Sequence, residues 1–176
     1  MAHLKSKTKH SIRLLTALTL ASSFVTHLAH SENIDTNAYY KLTSQWLGTN
    51  KALDVINDGK NNRIQMANSG NYSGQLWKFT RLSNGYYKLT TKWQGLNKAL
   101  DVINDGKNNR LQLAKSGNYS GQQWLVTPTG NGYVKLTTAW QGTGKALDII
   151  NDGRNNRLQL ANSGNYSGQY WKLTRQ

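Results

Sequence analysis

Cysteine is absent from the 176-residue chain, so any fold it adopts is held by packing and hydrogen bonds rather than by disulfides. Histidine is nearly as scarce. All four copies, His3, His10, His27 and His30, precede residue 32. Beyond that point there are no Ser-His or Cys-His nucleophile pairs and none of the commonest transition-metal ligands. Acids are few: eight Asp and Glu stand against 22 Lys and Arg. Six of the eight are Asp54, Asp58, Asp101, Asp105, Asp148 and Asp152; only Glu32 and Asp35 lie elsewhere. An acid pair of the glycosidase type is therefore limited to Asp54 with Asp58 and its repeats. Catalytic sites are seldom built three times in one small domain, so the expectation is a protein that is not an enzyme, with no cofactor and no metal.

Long hydrophobic runs are missing too. Leu14–Val25 is 12 residues long, too short to span a bilayer. It follows a basic start (Lys5, Lys7, Lys9, Arg13) and precedes Ala29-His30-Ser31, with small residues three and one before a plausible cut. This is the layout of a secretory signal peptide over residues 1–31. With no cysteine near the cut there is no lipid-attachment site. The expectation is a mature chain, 32–176, that is soluble and either secreted or periplasmic. Four of the 22 basic residues leave with the leader, so 18 face 8 acids and the mature charge is about +10. Such a balance suggests attraction to anionic surfaces, acidic glycans or nucleic acid.

What the chain does have is a threefold repeat. Lys51–Trp77, KALDVINDGKNNRIQMANSGNYSGQLW, recurs at Lys98–Trp124 and at Lys145–Trp171, 47 residues apart each time. Over these 27 positions the first and second copies differ at four and the first and third at five. The flanks drift much more: Lys78–Asn84 and Leu125–Asn131 share two residues of seven. Constraint is thus concentrated in this stretch, either on its turns and core or on a binding site built three times. The units run about 38–84, 85–131 and 132–176.

Each unit reads as four short strands, because apolar and polar residues alternate in short runs between turn residues. Tyr39–Thr43 places Tyr40 and Leu42 on one face. Leu53–Ile56 points Leu53 and Val55 inward and Asp54 outward. Ile64–Met66 points both its ends inward and Gln65 outward. Gln75–Thr80 buries Trp77 and Phe79. Asn57-Asp58-Gly59 and the stretch Asn68–Gly74 carry the turn chemistry. A single unit cannot bury its apolar face alone; three of them can close a barrel around one core. Twelve strands in three equal units, all-β with no long helical period, fit a β-trefoil, whereas a propeller needs four or more blades.

Gln-x-Trp stands at Gln75-Leu76-Trp77, Gln122-Gln123-Trp124 and Gln169-Tyr170-Trp171. Each follows Leu-Asp-Val or Leu-Asp-Ile, at Leu53–Val55, Leu100–Val102 and Leu147–Ile149, at constant distance. In this the chain resembles the ricin-type (ricin B, Q-x-W) β-trefoil lectins from about Asn37 to Gln176. The resemblance implies carbohydrate binding in shallow pockets, one per repeat. It also implies that Asp54, Asp101 and Asp148 accept hydrogen bonds from sugar hydroxyls. Gln65, Gln112 and Gln159 would support the sugar or the aspartate. A carboxylate suits this role because it accepts two vicinal donors at once.

The chain departs from the family pattern at three places. Ala67, Ala114 and Ala161 stand where galactose binders carry a stacking aromatic. Gly74, Gly121 and Gly168 stand where they carry Asn. Ala52 with Ser69, and its repeats, replace a cystine. Replacement stackers are Tyr72, Tyr119 and Tyr166, in a polar loop, and Trp46, Trp93 and Trp140, between the first and second strands. An apolar ring with a polar edge suits a pyranose. The bland alternatives are that the tryptophans pack under their own loop or against a neighbouring repeat, and that the aspartates bond backbone amides of their own turn. Asp58 reads as a turn former, Gln75 and Trp77 as structural, and Lys51, Lys60 and Arg63 as solvated charges. Asn71-Tyr72-Ser73 and its repeats match an N-glycosylation acceptor and read as loop residues.

The functional expectation is a lectin with up to three equivalent sites for glycans or polysaccharides, acidic ones included. One rival is a basic trefoil that binds a polyanion. Nucleic acid fits that rival poorly, because threefold scatter of Lys41, Lys51, Arg63 and their repeats makes a poor linear track. The other rival is a protein-binding trefoil with inactive sugar pockets.

Overall fold

The computed structural model describes residues 34–176. The leader expected at 1–31 lies outside the described residues. Twelve strands follow in chain order: β1 (Tyr39–Ser44), β2 (Lys51–Val55), β3 (Ile64–Asn68) and β4 (Trp77–Arg81) from the first unit. The second unit gives β5 (Tyr87–Thr91), β6 (Lys98–Val102), β7 (Leu111–Lys115) and β8 (Trp124–Gly130). The third gives β9 (Tyr133–Thr138), β10 (Lys145–Ile149), β11 (Leu158–Asn162) and β12 (Trp171–Arg175). The first and last strands of each unit form a closed six-stranded barrel in the order β1-β12-β9-β8-β5-β4, while β2–β3, β6–β7 and β10–β11 are three separate hairpins. This is the β-trefoil that the repeat implies.

The core explains why the repeat is needed. Trp77, Trp124 and Trp171 are fully buried, and each donates its indole N–H to the carbonyl of Leu53, Leu100 or Leu147 at 2.8, 2.9 and 3.0 Å. A tryptophan can be buried without loss only when that N–H is satisfied. The bond also ties each barrel strand to its own hairpin. Leu42, Leu89, Leu136 and Phe79 fill the barrel beside them. The hairpins are joined in a ring: Leu113 N–H bonds Asn62 O, Leu160 N–H bonds Asn109 O, and Met66 N–H bonds Asn156 O, at 2.7–2.8 Å. Each unit thus completes the next, and the third completes the first.

Three details differ from the sequence reading. Gln75 does not open the fourth strand; Ser73–Gln75 is a single 3₁₀ turn, repeated at Ser120–Gln122 and Ser167–Gln169. Ile64 is only half-buried, because it sits at the mouth of its hairpin beside an open hollow. Arg63 is not a free solvated charge: its Nε donates to Asp58 at 2.7 Å, and Arg110 and Arg157 pair with Asp105 and Asp152 in the same way. Asp58 also accepts the Asn61 N–H at 2.9 Å, with Asn61 at φ 51°, a conformation asparagine tolerates. Asp58 is therefore the turn former that the sequence suggests.

Candidate functional site

Each candidate site begins with a hydrogen-bond network inside one repeat. Gln75 is fully buried; its Oε1 accepts the Gly70 N–H at 3.0 Å and its Nε2 donates to the Asn68 carbonyl at 2.8 Å. The same Nε2 donates to Asp54 Oδ2 at 3.3 Å, and the Val55 N–H donates to Oδ1 at 2.8 Å. Gln169, Asp148 and Ile149 repeat this set in the third unit. Gln75 is thus structural, as its spacing suggests, and it also holds the aspartate in place. The aspartate bonds its neighbouring backbone amide, as the bland reading has it, yet keeps an open side.

Gly74 explains how the carboxylate fits. A Cβ built there would lie 2.6 Å from Asp54 Oδ1 and 3.5 Å from Trp93 Cε3. Gly121 stands in the same relation to Asp101 and Trp140, and Gly168 to Asp148 and Trp46. The glycine that replaces the family's asparagine therefore makes room for the aspartate. It also shows that the tryptophan beside each aspartate comes from another repeat. Trp93 thus stands beside Asp54, Trp140 beside Asp101 and Trp46 beside Asp148, each packed against a neighbouring repeat. The cause is local: the Trp93 N–H bonds Ser73 O at 3.2 Å, and the Lys92 N–H bonds Leu76 O at 2.8 Å. Trp46 and Gln45 make the equivalent bonds to Ser167 and Tyr170. The hydroxyls of Ser44, Thr91 and Thr138 accept the N–H three residues on and shape these tryptophan loops.

Tyr72, Tyr119 and Tyr166 form the other wall. They are 62%, 61% and 61% exposed. Each ring lies against the backbone of Gly70, Gly117 or Gly164, where a Cβ would overlap it. The rings are presented to solvent while resting against the glycine backbone. Asp54, Asn57, Asn71, Tyr72, Ser73, Gly74 and Trp93 line an open hollow of about 410 Å³. Its counterpart around Asp101, Asn104, Asn118, Tyr119 and Trp140 is about 640 Å³.

Gln112 lines the second of these hollows and stands opposite Asp101 in the hairpin ladder. Gln65 stands opposite Asp54 in the hairpin ladder and Gln159 opposite Asp148. Gln65, however, lines a separate hollow with Arg154 and Arg157. The sequence reading missed Asn71 and Asn118 as pocket residues; their presence in all three copies was the available signal. Burial raises the pKa of Asp54, Asp101 and Asp148, opposed by the bonds from Gln75, Gln122 or Gln169 and from the neighbouring amide. Each carboxylate is half-desolvated and incompletely bonded, which favours an incoming hydroxyl donor.

A closed trefoil with a carboxylate packed beside a borrowed tryptophan in every repeat, and open hollows at Asp54 and Asp101, defines a class of domain. The ricin-type β-trefoil lectin domain-like family matches residues 27–114 and 75–161, and the chain belongs to it. None of the curated proteins matches the chain. Among solved structures, the designed threefold-symmetric protein ThreeFoil is 30% identical with a TM-score of 0.67, covering 77% of this chain and 97% of its own. An exo-β-1,3-galactanase from Clostridium thermocellum is 27% identical with a TM-score of 0.69 over 81% of this chain, which spans only 31% of that enzyme. The Macrolepiota procera ricin B-like lectin, solved with lactose, shares the fold at 16% identity and a TM-score of 0.66, over 81% of this chain and 99% of its own. Among the described residues no helix is long and apolar enough to cross a membrane.

Proposed function

We propose that the protein is an exported lectin with up to three near-equivalent carbohydrate sites and no catalytic activity of its own. One observation carries the reading: a half-buried, incompletely bonded carboxylate opens into a hollow between a tryptophan and an exposed tyrosine at Asp54 and at Asp101, and the third unit repeats the aspartate, glycine and tryptophan packing. Asp54, Asp101 and Asp148 accept sugar hydroxyls. Trp93, Trp140 and Trp46 respectively offer a ring face, and Tyr72, Tyr119 and Tyr166 offer a second. Gln65, Gln112 and Gln159 support the aspartate across the hairpin. The lactose bound by the Macrolepiota procera lectin supports a saccharide as the ligand class. A millimolar pocket is worth only about −4 kcal/mol, so useful affinity comes from several pockets engaging one glycan-covered surface.

The test is a glycan array probed with the parent and with the triple variant Asp54→Ala, Asp101→Ala, Asp148→Ala. The variant is expected to stay folded and lose avidity; equal binding overturns the site assignment. Repeating the array at high salt separates a lectin from a polyanion binder, whose binding collapses with salt. Export rests on the basic start and short apolar run before Ser31. Mass measurement of protein from the medium or periplasm is expected to show a chain starting near Glu32. Recovery of only the full-length chain from the cytoplasm overturns it.

A further inference from the structure

A second kind of hollow lies where the three hairpin mouths meet. It is lined by the same three positions of every repeat: Ile56, Arg63 and Ile64, with their counterparts Ile103, Arg110 and Leu111, and Ile150, Arg157 and Leu158. Equal contributions from all three units place it on the pseudo-threefold axis. It holds about 340 Å³, within the range of small-ligand cavities. Its geometry follows from the hairpin ladder. The Ile56 N–H bonds Arg63 O at 2.8 Å, and the Ile103–Arg110 and Ile150–Arg157 bonds are 2.8 and 2.9 Å. Each hairpin therefore delivers one isoleucine and one arginine to the axis as a fixed pair.

The walls are aliphatic and incompletely covered: Ile56, Ile103, Ile150, Ile64 and Leu111 are all half-buried. The three arginine side chains are each 66% exposed. Their aspartate partners do not line the hollow. A guanidinium carries five N–H donors, and the pairing with Asp58, Asp105 or Asp152 occupies only Nε and, for Arg63, one Nη as well. Donors remain for another anion. The loops also carry Lys60, Lys107 and Arg154, and Lys98 reaches over to the Lys60 and Asn61 carbonyls, so the aspartates leave this end net positive.

We propose that this axial hollow is a binding site for a single anionic amphiphile, an aliphatic-chain carboxylate, with its chain against the isoleucines and its head among Arg63, Arg110 and Arg157. Apolar walls and a cationic rim each match one half of such a molecule. The site shares Ile103 with the hollow around Asp101 but uses none of the three pocket aspartates or tryptophans. Because it lies on the axis, each chain takes one ligand, whereas a repeat-borne site takes three.

That difference makes the test. Decanoate below its micelle concentration is titrated into the purified protein, following heat and methyl NMR shifts. Expected are one ligand per chain and shifts at Ile64, Leu111 and Leu158, which line neither sugar hollow. Acetate and decanol are each expected to bind more weakly by about tenfold, the equivalent of losing one favourable half of the contact. Arg63→Gln, Arg110→Gln and Arg157→Gln, made singly, are each expected to weaken the one site several-fold with stoichiometry unchanged. Asp58→Asn, which frees Arg63 from its partner, is expected to hold or tighten binding; a merely structural role for the ion pair predicts weakening. Three ligands per chain, shifts centred on Trp46, Trp93 and Trp140, acetate or decanol binding as well as decanoate, or binding only to anionic vesicles overturns the proposal. Failure of the glycan array leaves these outcomes untouched.

Discussion

Asp54, the residue proposed to meet the sugar, carries a cost to folding. Burial raises its pKa, so the folded state holds the proton more firmly than the unfolded chain does. The charged form therefore weakens stability at neutral pH, and that penalty is relieved as pH falls through the folded pKa. Asp58 behaves in the opposite way. The Asn61 amide and Arg63 lower its pKa, so its contribution is present above the unfolded value and is lost as pH falls through the folded one. The two trios give a specific expectation. On acidification glycan binding declines first, as Asp54, Asp101 and Asp148 protonate, while the melting temperature falls only at lower pH. A melt that drops in step with binding contradicts it. Gly74 is the second residue-scale case. Gly74→Ala pushes a Cβ against Asp54 Oδ1. It is expected to weaken that pocket about tenfold, the scale of one charge-assisted hydrogen bond. Titration of a variant carrying only that pocket, with Asp101→Ala and Asp148→Ala, measures it; unchanged affinity contradicts the packing.

At the scale of elements, Trp77 couples β4 to the hairpin through its bond to Leu53. Trp77→Ala is expected to destabilise by about 3–5 kcal/mol, combining lost burial with a cavity. Thermal denaturation checks it, and an unshifted midpoint contradicts the core placement. The alternation of Leu53, Asp54 and Val55 made this element legible from the chain alone, because in a strand every second residue must share a face. Gln75 was legible as structural but not as part of a 3₁₀ turn, since three residues carry no periodic signal. The partner of each tryptophan was not legible at all. Trp46 lies eight residues before Asp54 in sequence, yet the loop bonds to Ser167 and Tyr170 carry it to Asp148. Proximity along the chain says nothing about which unit closes a pocket when the units form a ring. Likewise, the pairing of Asp58 with Arg63 spans a loop whose path depends on the left-handed backbone at Asn61.

For the whole molecule, closure is the condition of stability. β1 pairs with β12 over five residue positions, Tyr40–Arg175 to Ser44–Trp171, so the first and last strands seal the barrel. Removing residues 132–176 takes away β9 to β12 and opens the barrel beside β1 and β8. The remaining two units are expected to lose cooperative melting and dispersed NMR amide shifts. A two-unit chain that keeps both would contradict the account of a shared core. The same ring joins the hairpins through Asn62, Asn109 and Asn156, whose carbonyls each reach into the following unit.

The loan of a tryptophan from one unit to its neighbour also bears on how such a fold can arise. A solitary 47-residue peptide has the acid and the tyrosine of one recess but cannot supply its own third wall. Only by gathering as a trimer would it acquire any recess, and it would then acquire all three together. In a molecule built this way, the capacity to recognise a ligand and the capacity to assemble cannot have separate beginnings.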